Sequence, residues 1–124
     1  MRLKVRKILR ILTARGAVPS TPVVVPQLVV HADGSVSDPV HGGTPGVGRI
    51  VARLDLGIAE YRLAVQYDGS GHLAKSQRDR DSRITAELGN LGWYSLRLTY
   101  GHLTDNDLLW RTVADALKLC LSRL

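Results

Sequence analysis

Residues 32–48, ADGSVSDPVHGGTPGVG, can form neither a helix nor a long strand. They hold five glycines and two prolines, with Asp33, Ser35, Ser37 and Asp38 between them. Glycine gives up too much backbone entropy to favour either element, and proline removes a donor from both. The segment is expected to be a mobile loop, and loops this long in compact domains are commonly functional. The ordered fold must therefore come from the residues on either side. A chain of 124 residues is read as one domain, 1–124, with a single core. With no Phe, that core must be built mainly from Val, Leu, Ile and Ala.

Before the loop, residues 2–15 predict a helix. Val5, Ile8, Leu9 and Leu12 recur at i, i+3, i+4 and i+7 as one apolar stripe. Arg2, Arg6, Lys7 and Arg10 fall on the opposite arc, and Gly16 is the expected stop. Val23–His31 reads as a first strand, with Pro26 restricting it to an edge or a bulge. After the loop, Arg49–Leu56 predicts a second strand, with Ile50, Ala52 and Leu54 alternating against Val51, Arg53 and Asp55. Arg62–Tyr67 predicts a third, antiparallel to the second. Lys75–Leu91 predicts a helix with Ile84, Leu88 and Leu91 on its apolar side. Trp93–Tyr100 predicts a fourth strand with Tyr94, Leu96 and Leu98 on one side and Ser95, Arg97 and Thr99 on the other. Thr104 is the expected N-cap of a last helix, with Asp107 completing a capping box. The order is α-β-β-β-α-β-α, an α/β fold in which a mixed four-stranded sheet carries helices on both faces.

Charge is unevenly placed. Seventeen Lys and Arg outnumber eleven Asp and Glu. Arg2, Lys4, Arg6, Lys7, Arg10 and Arg15 occupy residues 1–15 without an acid, so the remainder is balanced. A basic stripe of this kind fits a polyanion such as nucleic acid, or simply a solvated helix face. No apolar run is long enough to span a membrane and the N-terminus has no signal core, so a cytoplasmic location is the default. Cys120, the only cysteine, is expected to face the core of the last helix. Trp93 is expected to pack at a helix-to-strand corner. His31, His41 and His102 have no partner at ligand spacing and are assigned no role.

The third strand, RLAVQYDGSGH, ends in an amide, a carboxylate and an imidazole. Gln66 and Asp68 are two apart and share a face. A hairpin centred near residue 60 would bring Asp55 close to Gln66, Tyr67 or Arg62, depending on register. Two carboxylates and an amide make an oxygen-rich donor set, suited to Mg²⁺, Ca²⁺ or Mn²⁺ rather than Zn²⁺. A bound divalent ion lowers the pKa of water and neutralises charge on a breaking phosphodiester. His72 and Lys75 follow closely, as a proton-transfer group and a phosphate contact. Spacing alone also fits an ordinary strand end, because Asp-Gly is a common turn.

The runs RLDLGIAEYRLAVQYDGSGH and RDRDSRITAELGNLGWYSLRLTYGHL resemble the small endonuclease-like domains of the PD-(D/E)XK superfamily. The similar group is the one related to very-short-patch mismatch repair endonucleases. The resemblance spans about Val51 to Leu103, in four blocks in the expected order. It implies a restriction-endonuclease-like sheet and Mg²⁺ (or Mn²⁺) at a phosphodiester-hydrolysing site. Asp55 matches the first metal-binding Asp, Asp68 stands at the superfamily's Lys position, which this group often fills with Asp, and the Tyr67 carbonyl would be a further ligand. His72 matches the His after the turn. Asp81, Arg83 and Arg97 match charged positions on the next helix and the last strand. Two departures stand out. Gln66 replaces a Glu, so the site has lost a charge and a base, and the first helix lacks the acid that relatives carry there.

The expectation is a divalent-metal-dependent endonuclease acting on DNA, in repair, restriction or a related process. Asp55, Gln66, Asp68 and His72 would be the catalytic set. Arg6, Lys7, Arg10, Lys75, Arg83 and Arg97 would contact the nucleic-acid backbone. Related proteins are longer, so recognition is expected to come from a further segment, a partner or a second copy. The alternative is an inactive nucleic-acid-binding or interaction module on the same fold.

Overall fold

The computed structural model describes residues 2–16, 23–68 and 75–124. Among these, the fold is mixed α/β, with a four-stranded mixed sheet, a three-stranded antiparallel sheet and four α-helices. Helix α1 (Arg2–Ala14) buries Val5, Ile8, Leu9 and Leu12, the stripe its periodicity predicts. No helix among the described residues is long and apolar enough to cross a membrane.

The two sheets are joined by one bent antiparallel ladder. Strand β1 (Val25–Pro26) pairs with β5 (Leu56–Ile58) in the four-stranded sheet. Strand β2 (Val29–His31) pairs with β4 (Ile50–Arg53) in the three-stranded one. Between them the pairing does not lapse. The Gln27 N–H donates to the Asp55 carbonyl at 3.3 Å, and the Leu54 N–H to the Leu28 carbonyl at 2.8 Å. The chain turns at Gln27, which takes a left-handed φ of 58°. Pro26 has no N–H to give, which suits it to the edge position that β1 occupies.

The continuous strands expected over 23–31 and 49–56 are thus each divided, and each half serves a different sheet. The expected alternation in 49–56 also fails. Val51 and Ala52 are both buried, whereas Ile50 is half exposed, beyond a bulge between Val30 and His31.

A 3₁₀ turn at Ala59–Tyr61 leads from β5 into β6 (Leu63–Asp68), which runs antiparallel to β5 as expected. Helix α2 (Lys75–Asn90) then crosses over to β7 (Tyr94–Thr99), which lies parallel to β6. Alternation along β6 sorts two cores. Leu63 and Val65 pack with Leu96 and Leu98 of β7 and with α1 and the last helix. Ala64, on the other face, packs with Leu88 of α2, Trp93 and the three-stranded sheet. The next residues on that second face are Gln66 and Asp68, where the core gives way to solvent.

The glycine-rich loop is more structured than its composition suggests. Strand β3 (Val36–Ser37) pairs with β2, and the chain around it is tied to His31. His31 is buried. Its Nδ1–H donates to the Gly48 carbonyl at 3.0 Å, and its Nε2 lies 2.8 Å from Ser37 Oγ. Ser37 Oγ also accepts the Gly46 N–H at 2.8 Å. A Cβ on Gly46 would meet the imidazole, so only glycine fits against that ring. Asp33 adds a local tie, accepting from the Ser35 hydroxyl and the Ser35 N–H, which hold its carboxyl below the usual range. His31, assigned no role from spacing, is the buried polar anchor of this loop.

The last helix begins one residue later than expected. A short helix α3 (Tyr100–Thr104) consumes Thr104, whose Oγ1 donates to the Tyr100 carbonyl. Asp105 instead caps α4 (Asn106–Ser122), its Oδ1 accepting the Leu108 N–H at 3.1 Å. Cys120 is buried on α4, as expected, and burial pushes its thiol pKa up.

Two glycines test this packing in opposite directions. A Cβ on Gly57 would lie 2.8 Å from Leu28 Cβ, across the bent ladder. Gly57→Ala should therefore lower stability by about 1–3 kcal/mol. Gly89, on α2, has open space around it, so Gly89→Ala should raise stability by about 0.5–1 kcal/mol. Urea midpoints at equal m-values would measure both; a neutral Gly57→Ala would show that the ladder is looser than described.

Candidate functional site

The register of β5 and β6 resolves which residue faces Asp55. Leu56 pairs with Val65, so Asp55, one residue earlier, stands opposite Gln66. Because the Asp55 carbonyl is committed to Gln27 at the bend, its neighbourhood departs from a regular ladder. The Asp55 N–H donates to Gln66 Oε1 at 3.1 Å. In return, Asp55 Oδ2 accepts the Tyr67 N–H at 2.7 Å. The carboxylate is thus fixed by backbone on the neighbouring strand, and the Gln66 amide stitches the bend.

The parallel partner supplies the opposite wall. Gln66 pairs with Arg97 and Asp68 with Thr99. Arg97 Nη1 lies 3.7 Å from Asp68 Oδ2 and 3.4 Å from Asp81 Oδ2 on α2. One guanidinium therefore links the end of β6 to the crossover helix. These side chains are partly exposed, so the pairs are weak individually and screened by salt.

Together these elements line a cleft of about 320 Å³, which includes Arg53, Asp55, Gln66, Asp81, Ser95 and Arg97. It opens near the carboxyl ends of a parallel strand pair and beside its crossover, where open α/β sheets commonly take ligands. Ser95 Oγ is buried in its wall with no hydrogen-bond partner among the described residues. A buried unpaired hydroxyl costs about 1–3 kcal/mol, which a ligand or water in the cleft would offset.

Of the expected site residues, Asp55, Gln66 and Tyr67 line the cleft, whereas Asp68 does not and is tied to it through Arg97. Asp81 and Arg97 join them through ion pairs. His72 lies outside the described residues, as does the side chain of Lys75. Arg83 is exposed on α2. The basic residues of α1 do not line the cleft. That helix packs on the opposite face of the sheet, where Arg6 Nη2 donates to the Val24 carbonyl at 3.2 Å, while Lys7 and Arg10 are exposed. Arg53 and Ser95 were not expected in the site. For Ser95 the signal is its period-2 spacing from Arg97 on β7, whereas Arg53 ends β4 before the bend and no simple alternation links it to Asp55.

As a cation site the donor set fits in kind but is thin in charge. Asp55 and Asp68 offer hard carboxylate oxygens and Gln66 an amide oxygen. Among the described residues, no three His, Cys, Asp or Glu side chains gather as metal ligands. Arg97 also competes directly for Asp68. A cation held by one or two carboxylates that keeps most of its waters, as Mg²⁺ does, suits this arrangement better than one needing a full protein cage.

The chain matches no protein-family model, and no curated protein or solved structure matches it.

The role of Gln66 is testable apart from any activity. Gln66→Ala leaves the Asp55 N–H without its acceptor and should cost about 1–3 kcal/mol. Gln66→Glu keeps an acceptor oxygen and should cost clearly less. Equal losses for both variants in urea denaturation would contradict the stitch.

Proposed function

We propose that the cleft is a divalent-cation-assisted phosphodiester site of the endonuclease type, acting on DNA in the cytoplasm. The observation that carries this reading is the fixed Asp55 carboxylate opposite Gln66, in a cleft that also holds two arginines, one of them paired with Asp68. The resemblance to PD-(D/E)XK domains supports the same assignment. Asp55 and Asp68 would hold the cation, with Gln66 Oε1 and the Tyr67 carbonyl as further oxygens. When bound, Mg²⁺ or Mn²⁺ would activate a water and neutralise charge on the phosphodiester. Arg53 and Arg97 would contact phosphate oxygens, and His72 would transfer a proton. Gln66 cannot serve as a base. With a cation bound, Asp68 would serve as its ligand and Arg97 would turn to the phosphate.

A second reading is favoured by that same ion pair. With Arg97 resting on Asp68 and Asp81, the cleft is nearly balanced in charge, as in a module that binds nucleic acid without cutting it. Fold class does not decide between the two.

Calorimetric titration with Mg²⁺ and Mn²⁺, alongside plasmid nicking, separates them. Asp55→Asn and Asp68→Asn keep oxygen acceptors and so preserve the fold. The nuclease reading expects metal binding and nicking in the wild type, and loss of both in the double variant. Arg97→Gln should tighten metal binding several-fold by removing the guanidinium's competition for Asp68. Absence of metal binding at millimolar concentration, in wild type and Arg97→Gln alike, would sink the nuclease reading and leave the binding module.

A further inference from the structure

The cleft changes character with depth. Asp55, Gln66 and Arg97 stand abreast across three neighbouring chain segments, because Asp55 lies opposite Gln66 and Gln66 pairs with Arg97. Alternate residues share a strand face at a spacing of about 6.6 Å. The next pair inward on that face is therefore Ala64 and Ser95. Both are small, which leaves room beneath α2, where Ile84 and Leu88 sit one turn apart and line the cleft. Ala52, buried on β4, lines it too. The depth is thus largely apolar, while the exposed Arg53 and Arg97 make the mouth cationic.

One polar group breaks the apolar depth. Ser95 Oγ is buried there with no hydrogen-bond partner among the described residues. A serine side chain turns between staggered rotamers about one bond. Its hydroxyl can therefore meet a polar atom entering the cleft, as donor or as acceptor. A ligand that matches this order of groups has an anion at one end, then a compact apolar body with polar atoms on its rim. That is the chemistry of one nucleotide, a phosphate followed by a heterocyclic base. The cavity of about 320 Å³ lies at the small end of ligand pockets, which run from about 300 to 1,000 Å³, so it suits a single such unit. A base stacked and paired within a duplex cannot enter; it must be unpaired or turned out of the helix.

We infer that the cleft holds one nucleotide unit, free or within an unpaired strand, with its phosphate at Arg53 and Arg97 and its base against Ser95 beneath α2. The inference rests on the phosphodiester reading of the cleft and names the unit that the site takes. Ser95 is then a binding residue for the base, and its unpaired hydroxyl is satisfied when the base is in place.

The test is an NMR titration of backbone amides in EDTA at fixed moderate salt. The probes are the four deoxynucleoside monophosphates, deoxyribose 5-phosphate, oligo-dT and a blunt duplex. At least one nucleotide should bind about tenfold more tightly than deoxyribose 5-phosphate and should shift the Ser95 and Leu88 amides. The duplex should leave those two amides unmoved. Shifts there with oligo-dT as well place the unit within an unpaired strand, and shifts with the monophosphates alone identify a free nucleotide. Ser95→Ala should weaken nucleotide binding about tenfold, leave deoxyribose 5-phosphate binding unchanged, and melt no lower than the wild type, because it removes an unpaired buried group. Equal affinity for nucleotide and sugar phosphate, full nucleotide affinity in Ser95→Ala, or a lower melting temperature for that variant would overturn the inference. Because no metal is present, this readout is independent of cleavage. Nucleotide binding at Ser95 without metal binding or nicking would sink only the nuclease reading, and nicking without nucleotide binding at Ser95 would sink only this inference.

Discussion

The structure depends on one antiparallel ladder that bends without losing register. Residues 25–30 and 52–57 stay paired while passing from a four-stranded sheet into a three-stranded one. A bend in a ladder normally leaves backbone groups unsatisfied, at a cost comparable to a lost hydrogen bond. Here the Asp55 carbonyl remains bonded to Gln27, and the Asp55 N–H is taken up by the Gln66 side chain. The bend that shapes the fold therefore also turns the Asp55 carboxylate against the Tyr67 N–H. Site and architecture share the same few hydrogen bonds.

Around that fixed carboxylate the charges are arranged as a balance. Asp68 and Asp81 share Arg97, and Arg53 lines the same cleft. A rigid acid beside an exchangeable ion pair suits a ligand that brings both signs, such as a cation together with a phosphate. Each feature is modest alone, and their common location at the carboxyl ends of β6 and β7 gives the functional proposal its coherence.

Much of this was legible in the sequence, and the failures have specific causes. The helices over 2–15 and 75–91 followed from 3.6-residue periodicity, and β7 from strict alternation. The antiparallel pairing of the second and third strands narrowed Asp55 to a few partners, and the register then selected Gln66. The division of 23–31 and 49–56 between two sheets was not legible, because no apolar pattern marks a change of sheet. Only Pro26 hinted at it. The loop misled in the other direction. Its glycines suggested mobility, but Gly46 is there because His31 needs the space. The cap of α4 was missed by one residue because Thr104 and Asp105 are both good caps, and only tertiary context gives Thr104 to α3.

The most direct test of the account is the position of a metal. A crystal soaked in Mn²⁺ and measured for anomalous scattering would show where, if anywhere, the cation settles. The account predicts a peak in the cleft between Asp55 and Asp68, with the Arg97 guanidinium displaced from Asp68. A cleft without a peak and with Arg97 still on Asp68 would contradict it.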